Sequence, residues 1–257
     1  MSHVPKTKRR ALEALRREIR RIEIPGEAGV ACLSPGIPEI DGALPGGGLR
    51  AGCVHEIGGD EAATGFCAVL LARAGSAPGP LMWLARGDDL YLPGLVRYGI
   101  EPGRLLVASR LRRRADMLWA MEEALRCRAL RGVVAEVDTL DRAASRRLML
   151  AAEGSGVPGL VLWSEAGRGG AGRVRVPTAD SRWRVTTVPG TGMTRWRVEV
   201  LHCRGGRPGC WVVEMASPGR PPCAARASRG MAATRLPRRL ARAPRGMAAR
   251  DLSRLAG

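Results

Sequence analysis

Lysine is almost missing from this sequence: of its 42 basic residues only Lys6 and Lys8 are lysines, and none follows position 8. Any site in the rest of the chain that needs a cation must take it from arginine, which forks onto carboxylates and phosphates. Histidine is nearly as scarce, with three residues, and the seven cysteines at 32, 53, 67, 127, 203, 210 and 223 include no C-x-x-C pair and no histidine at metal-ligand spacing. His202, Cys203 and Cys210 offer three ligands at unfavourable spacing, short of the four of a structural zinc site. Reduced, mostly buried thiols, no metal and no cofactor are the expectation. No run of about 18 apolar residues occurs, and the basic N-terminus lacks the continuous apolar segment of a signal peptide. A soluble, cytoplasmic protein without a membrane partner is expected.

What is present suffices for one substantial core: 257 residues, 45% of them apolar. The net charge of +18 is unevenly placed. Residues 1–22 hold eight Lys or Arg against two Glu, residues 216–257 hold ten Arg against one Asp, and the stretch between is left at only +3. General attraction to DNA would therefore sit on the two ends, where basic arms neutralise phosphates and release counterions.

Three regions follow. In residues 1–24, Leu12, Leu15, Ile19 and Ile22 recur at intervals of 3, 4 and 3 with charges elsewhere, which predicts an amphipathic helix ending before Pro25. Its apolar stripe either packs on its own core or docks onto a partner, another copy of the chain included. Residues 25–215 open with a Gly/Pro-rich stretch around one short helix and then alternate strand-like runs (53–57, 81–85, 105–108, 133–137, 160–163) with helical segments near 64–74, 89–98, 115–130 and 141–153. That alternation predicts an α/β fold, a mostly parallel sheet covered by helices on both faces. Beyond Gly167, runs containing Trp183, Trp196 and Trp211, separated by Pro and Gly turns, predict an antiparallel β extension. Residues 216–257 lose all periodicity and are expected to be a disordered, Arg-rich tail.

The most informative segment runs from Leu33 to Leu71. It holds Gly36-Ile-Pro-Glu-Ile-Asp41, the turn Gly46-Gly-Gly-Leu49, the pair Ala51-Gly52, and then the strand VHEI leading into Gly58-Gly-Asp-Glu-Ala-Ala-Thr-Gly-Phe-Cys67. This order resembles the opening of RecA-family ATPases. A working phosphate loop there reads G-x-x-x-x-G-K-[ST], because backbone N–H groups cradle phosphates, the lysine reaches the β/γ-phosphates and the hydroxyl holds Mg²⁺. If Gly65 stands at the second glycine, Phe66 replaces the lysine, Cys67 replaces the hydroxyl residue, and Asp60 takes the first glycine position. Gly59, Asp60 and Glu61 would then place two carboxylates where triphosphate should lie. Glu136 and Asp138, at the end of GVVAEVD, occupy the place of a Mg²⁺-binding carboxylate. No catalysis is expected of such a degenerate loop; the alternative is a DNA-dependent ATPase with an unorthodox one.

The stretch from about 33 to 215 also resembles the ImuA family, RecA-like accessory proteins of bacterial SOS-induced mutagenesis. The residues that carry the likeness are LPGGGLRAGCVHEIGG, LYLPGLVRYGIEPGRLL, WAMEEALRCRALRGVVAEV, ASRRLMLAAEGSGVPGLVLW and the later RWRVEVLHCRGGRPGCWVVE. The resemblance implies a RecA-like core without turnover of its own, working in translesion synthesis and DNA repair with ImuB, an inactive polymerase-like protein, and a DnaE-type error-prone polymerase.

Two surfaces complete the expectations. Arg110, Arg112, Arg113 and Arg114 follow the third strand of the alternating series at its carboxyl end, where open α/β sheets bind ligands, and are expected to contact nucleic acid or the polymerase. Trp83, Trp119 and Trp163, flanked by aliphatics, are expected in the core. Trp183, Trp196 and Trp211 either stack on single strands or are the inward residues of half-buried strands.

Overall fold

The computed structural model describes residues 31–74, 79–138, 140–164, 178–189, 194–215 and the backbone of 228–229. The expected N-terminal helix with Leu12, Leu15, Ile19 and Ile22 lies outside the described residues, as does nearly all of 216–257.

Strands β3 (Val54–Gly59), β4 (Leu81–Leu84), β5 (Leu105–Ala108), β6 (Gly132–Glu136) and β7 (Gly159–Ser164) alternate with helices α2 (Glu61–Ala72), α3 (Leu92–Val96), α4 (Arg114–Arg126) and α5 (Arg142–Ser155). They are preceded by β1 (Cys32–Leu33), α1 (Pro38–Asp41) and β2 (Leu49–Arg50), and followed by β8 (Ser181–Val188), β9 (Arg195–Cys203), β10 (Gly209–Glu214) and β11 (Ser228–Arg229). Nine strands form one sheet in the order β11-β10-β9-β8-β3-β7-β6-β4-β5, while β1 and β2 pair separately. From β8 to β5 every pairing is parallel; β8, β9, β10 and β11 pair antiparallel. The α/β core and its antiparallel extension are thus as the sequence pattern predicts.

The two halves of the sheet bury different patterns for one reason. Helices cover both faces of the parallel part, so β3 is buried at all six positions and β6 at four of five. In β8 and β9 inward and outward residues alternate: Trp183, Val185, Trp196 and Val198 are buried while Arg182, Arg184 and Arg197 are not. The three tryptophans of the extension belong to the core beneath α2, so they are the inward residues of half-buried strands; truncating any one to Ala is worth about 3–5 kcal/mol.

The helices are placed by caps and stripes. Asp141 caps α5 by accepting from Ala144 N–H at 2.8 Å, Leu148 and Ala152 turn inward, and Gly156, at φ 80°, closes the helix in the left-handed region. In α4, Met117, Met121 and Leu125 face the sheet. Trp119 does not: it is 65% exposed, against the expectation that it is core. Aliphatic neighbours in sequence misled here, because two residues of helix turn a side chain about 200° away from Met117 and Met121. Among the described residues no helix is long and apolar enough to cross a membrane.

Candidate functional site

The junction between β3 and α2 is where a RecA-type protein would hold phosphates, and here it is one residue long. β3 ends at Gly59, α2 begins at Glu61, and Asp60 stands between them as the N-cap. One Asp60 carboxylate oxygen accepts from Ala62 N–H at 2.9 Å and the other from Thr187 N–H of β8 at 2.8 Å. A helix N-terminus is a ready anion site because its first N–H groups have no intrahelical partner. In this protein that site already carries an anion, tied to the neighbouring strand.

Gly65, Phe66 and Cys67 therefore lie in the second turn of α2, which begins three residues before the start expected near 64. Phe66 is fully buried and packs on Trp183 with ring centroids 5.6 Å apart; Cys67 is fully buried as well, and burial, with Glu136 nearby, pushes its thiol up. Neither side chain points to a phosphate position. The glycines are explained by packing. A Cβ on Gly58 would run into the Trp163 indole, one on Gly59 (φ 147°) into the Val185 carbonyl, and one on Gly65 would come within 2.7 Å of the Trp196 ring. Glu61, itself exposed in the first turn, carries a charge that suits the helix dipole.

Glu136 and Asp138 stand at the end of β6 and are engaged by the protein itself. Glu136 accepts from the Trp83 indole N–H at 3.1 Å and from the Arg86 N–H at 3.0 Å, and Asp138 pairs with the Arg86 guanidinium. At the same edge Arg110, at φ 64°, donates to both oxygens of Asp88 at 2.7 and 2.9 Å, and Arg114 pairs with Asp141. Arg112 and Arg113 are exposed, and their side chains have no partner among the described residues. The four arginines expected as one contact surface are thus split: two are matched by carboxylates and two remain free.

A second polar cluster escaped the sequence reading. His55, on β3, accepts at Nδ1 from the Ser181 hydroxyl (2.7 Å) while its Nε2–H donates to the Arg50 carbonyl (2.9 Å), and the Trp183 indole N–H donates to Ser181 at 2.7 Å. Burial holds the His55 imidazole below its ordinary range, so it stays neutral. Arg50 pairs with the buried Asp180, and Arg182 donates to the buried Glu56 carboxylate at 2.7 Å. These bonds lash β2 and β8 to β3. The dyad is shut away from solvent and every polar atom in it is satisfied, so it holds strands rather than acting on a substrate. The signal for it was a His-Glu pair inside an otherwise apolar strand. Among the described residues no group of three or more His, Cys, Asp or Glu could hold a metal ion.

No protein-family model matches the chain. Over 211 residues it is 39% identical to Protein ImuA from each of two strains of Caulobacter vibrioides, covering 74% of this chain and 86% of each relative. At that identity and coverage, the chain belongs to the ImuA family.

Proposed function

We propose that this protein is a non-catalytic accessory of SOS-induced, error-prone translesion synthesis, which assembles with an ImuB-like protein and a DnaE-type polymerase and neither binds nor hydrolyses ATP. One observation carries the absence of turnover: the N-terminus of α2, where triphosphate would sit, holds the Asp60 carboxylate instead. A triphosphate there would meet that charge with no lysine among the described residues and no arginine in the junction, an opposition of several kcal/mol in a partly desolvated place. The place in mutagenesis rests on family membership. DNA, where it is met directly, is held by the basic ends and by Arg112 and Arg113. The three regions 1–24, 25–215 and 216–257 then divide the work into a docking helix, a RecA-like scaffold and a basic tail.

The test is genetic and biochemical together. Asp138→Asn in the chromosomal copy should leave damage-induced mutation frequency at the wild-type level while a deletion abolishes it, and the tagged variant should still co-purify with polymerase components from damaged cells. Mutagenesis lost on Asp138→Asn with assembly intact would mean that a Mg²⁺-binding carboxylate, and hence turnover, is needed.

A further inference from the structure

Helices α4 and α5 lie side by side with both N-termini at the carboxyl edge of the sheet, joined by Arg114 on Asp141 and by Arg147 on Glu122. Arg112 and Arg113 precede α4, Arg142 opens α5, and Arg146 stands one turn further on. All four are exposed, and their side chains have no partner among the described residues. Within the first two turns of the two helices Asp116 is the single carboxylate, so arginines outnumber acids there. Trp119 rises from the second turn of α4, turned away from Met117 and Met121. Of the six tryptophans it alone is exposed; Trp83, Trp163, Trp183, Trp196 and Trp211 are buried. A single exposed apolar side chain is ordinary, but an indole beside four unanswered guanidinium groups is a combination with a use.

We infer that the outer face of α4 and α5 binds single-stranded DNA, with phosphates on Arg112, Arg113, Arg142 and Arg146 and an unpaired base stacked on Trp119. The inference deepens the contact proposed above for Arg112 and Arg113, and rests on it. The arginines attract phosphate without regard to sequence, and the indole supplies a flat face that any base can cover. In a duplex the bases are already stacked on one another, so Trp119 separates the single strand from the double. A protein partner would bury an exposed tryptophan among apolar neighbours. Here the residues one turn away from it on α4 are Ala115, Asp116, Glu122 and Glu123, and the exposed aliphatic of α5, Leu150, lies a turn beyond Arg146. Glu122 and Glu123 are answered by Arg126 and Arg147, which leaves Asp116 as the charge on this helix face that opposes a strand.

The experiment titrates the full-length protein with a thymidine oligomer and with a duplex of equal length, read by anisotropy of labelled DNA over a range of salt and by tryptophan emission with unlabelled oligomer. The single strand should quench the red, solvent-exposed part of the emission, and Trp119→Phe should remove that quenching while keeping most of the affinity. Trp119→Ala should weaken single-strand binding about tenfold and leave duplex binding unchanged. Arg142→Gln with Arg146→Gln should lower the single-strand salt slope by about 1.4, two phosphate contacts at about 0.7 each. Asp116→Asn should tighten single-strand binding. Thermal melts establish that each variant is folded. Single-strand affinity unmoved by Trp119→Ala, an equal loss for both forms of DNA, or no tightening with Asp116→Asn would each overturn the inference. So would loss of polymerase components from Trp119→Ala in damaged cells with DNA binding intact, which would make this face a protein-docking surface. Wild-type protein that binds no DNA would sink this inference together with the DNA contact of Arg112 and Arg113, and would leave the scaffold role and its test with Asp138→Asn standing.

Discussion

At the carboxyl ends of the parallel strands Arg86, Arg110 and Arg114 each face an aspartate, and the helix terminus beside them is capped by Asp60; at the amino ends Arg73, Arg128 and Arg131 line a cavity whose wall holds no carboxylate among the described residues. The two edges carry similar numbers of arginines. What differs is whether the protein supplies the counter-charge. At the carboxyl edge, where a RecA-type fold does its chemistry, aspartates occupy the helix terminus and answer three arginines, leaving Arg112 and Arg113 free; at the amino edge no carboxylate among the described residues lines the cavity. Arginine clusters in sequence are therefore poor guides to a binding surface until their carboxylate neighbours are placed.

The largest effect is expected from Phe66→Lys. If the second turn of α2 is core, a lysine there buries an unpaired charge beside Trp183, and the variant should lose about 4 kcal/mol or more in urea unfolding and bind no nucleotide. A stable variant that gained ATP affinity would erase the distinction between the edges, since Phe66 would then stand in a usable phosphate loop. Gly58→Ala sharpens the same point with a smaller change: its methyl group must displace the Trp163 ring, at a cost of about 1–3 kcal/mol. Asp60→Ala removes the cap of α2 and should cost about 1 kcal/mol, with Asp60→Asn retaining much of it.

The smallest effect is a pH dependence. His55 has a folded-state pKa below its unfolded value near 6.5, so the unfolded chain binds a proton more readily than the native protein. His55 thus favours the native state fully above pH 6.5, and that contribution is lost as pH falls from 6.5 through the lower folded-state value. Urea midpoints taken at pH 7.5 and pH 5 should drop on acidification, and His55→Gln should flatten that drop. A His55→Gln profile parallel to wild type would show that other groups, at either edge, set the acid sensitivity.

Most of the fold was legible because its signals are local. Strands alternating with helical segments, glycines at turns and Arg-Trp-Arg-Val alternation each depend on a few consecutive residues, and β3 to β10 lie where those patterns put them. The start of α2 was misplaced because Gly58-Gly59 and Gly65 imitate a phosphate loop, when their need is set by Trp163, Val185 and Trp196 from distant segments. Trp119 was misassigned for want of a helical phase. The amino-edge cavity could not be foreseen at all: Arg73 stands on one loop and Arg128 and Arg131 on another, each of them unremarkable alone, and only the sheet brings them together.

The most direct test of the closed carboxyl edge is calorimetric titration of the full-length protein with MgATP. The account predicts no saturable heat up to about 1 mM nucleotide, the weak end of ordinary substrate affinities, and none for the Asp60→Asn variant. A micromolar Kd that is weakened by Glu136→Gln would contradict it, because the strand-end carboxylate would then be holding a metal-bound triphosphate rather than Trp83 and Arg86.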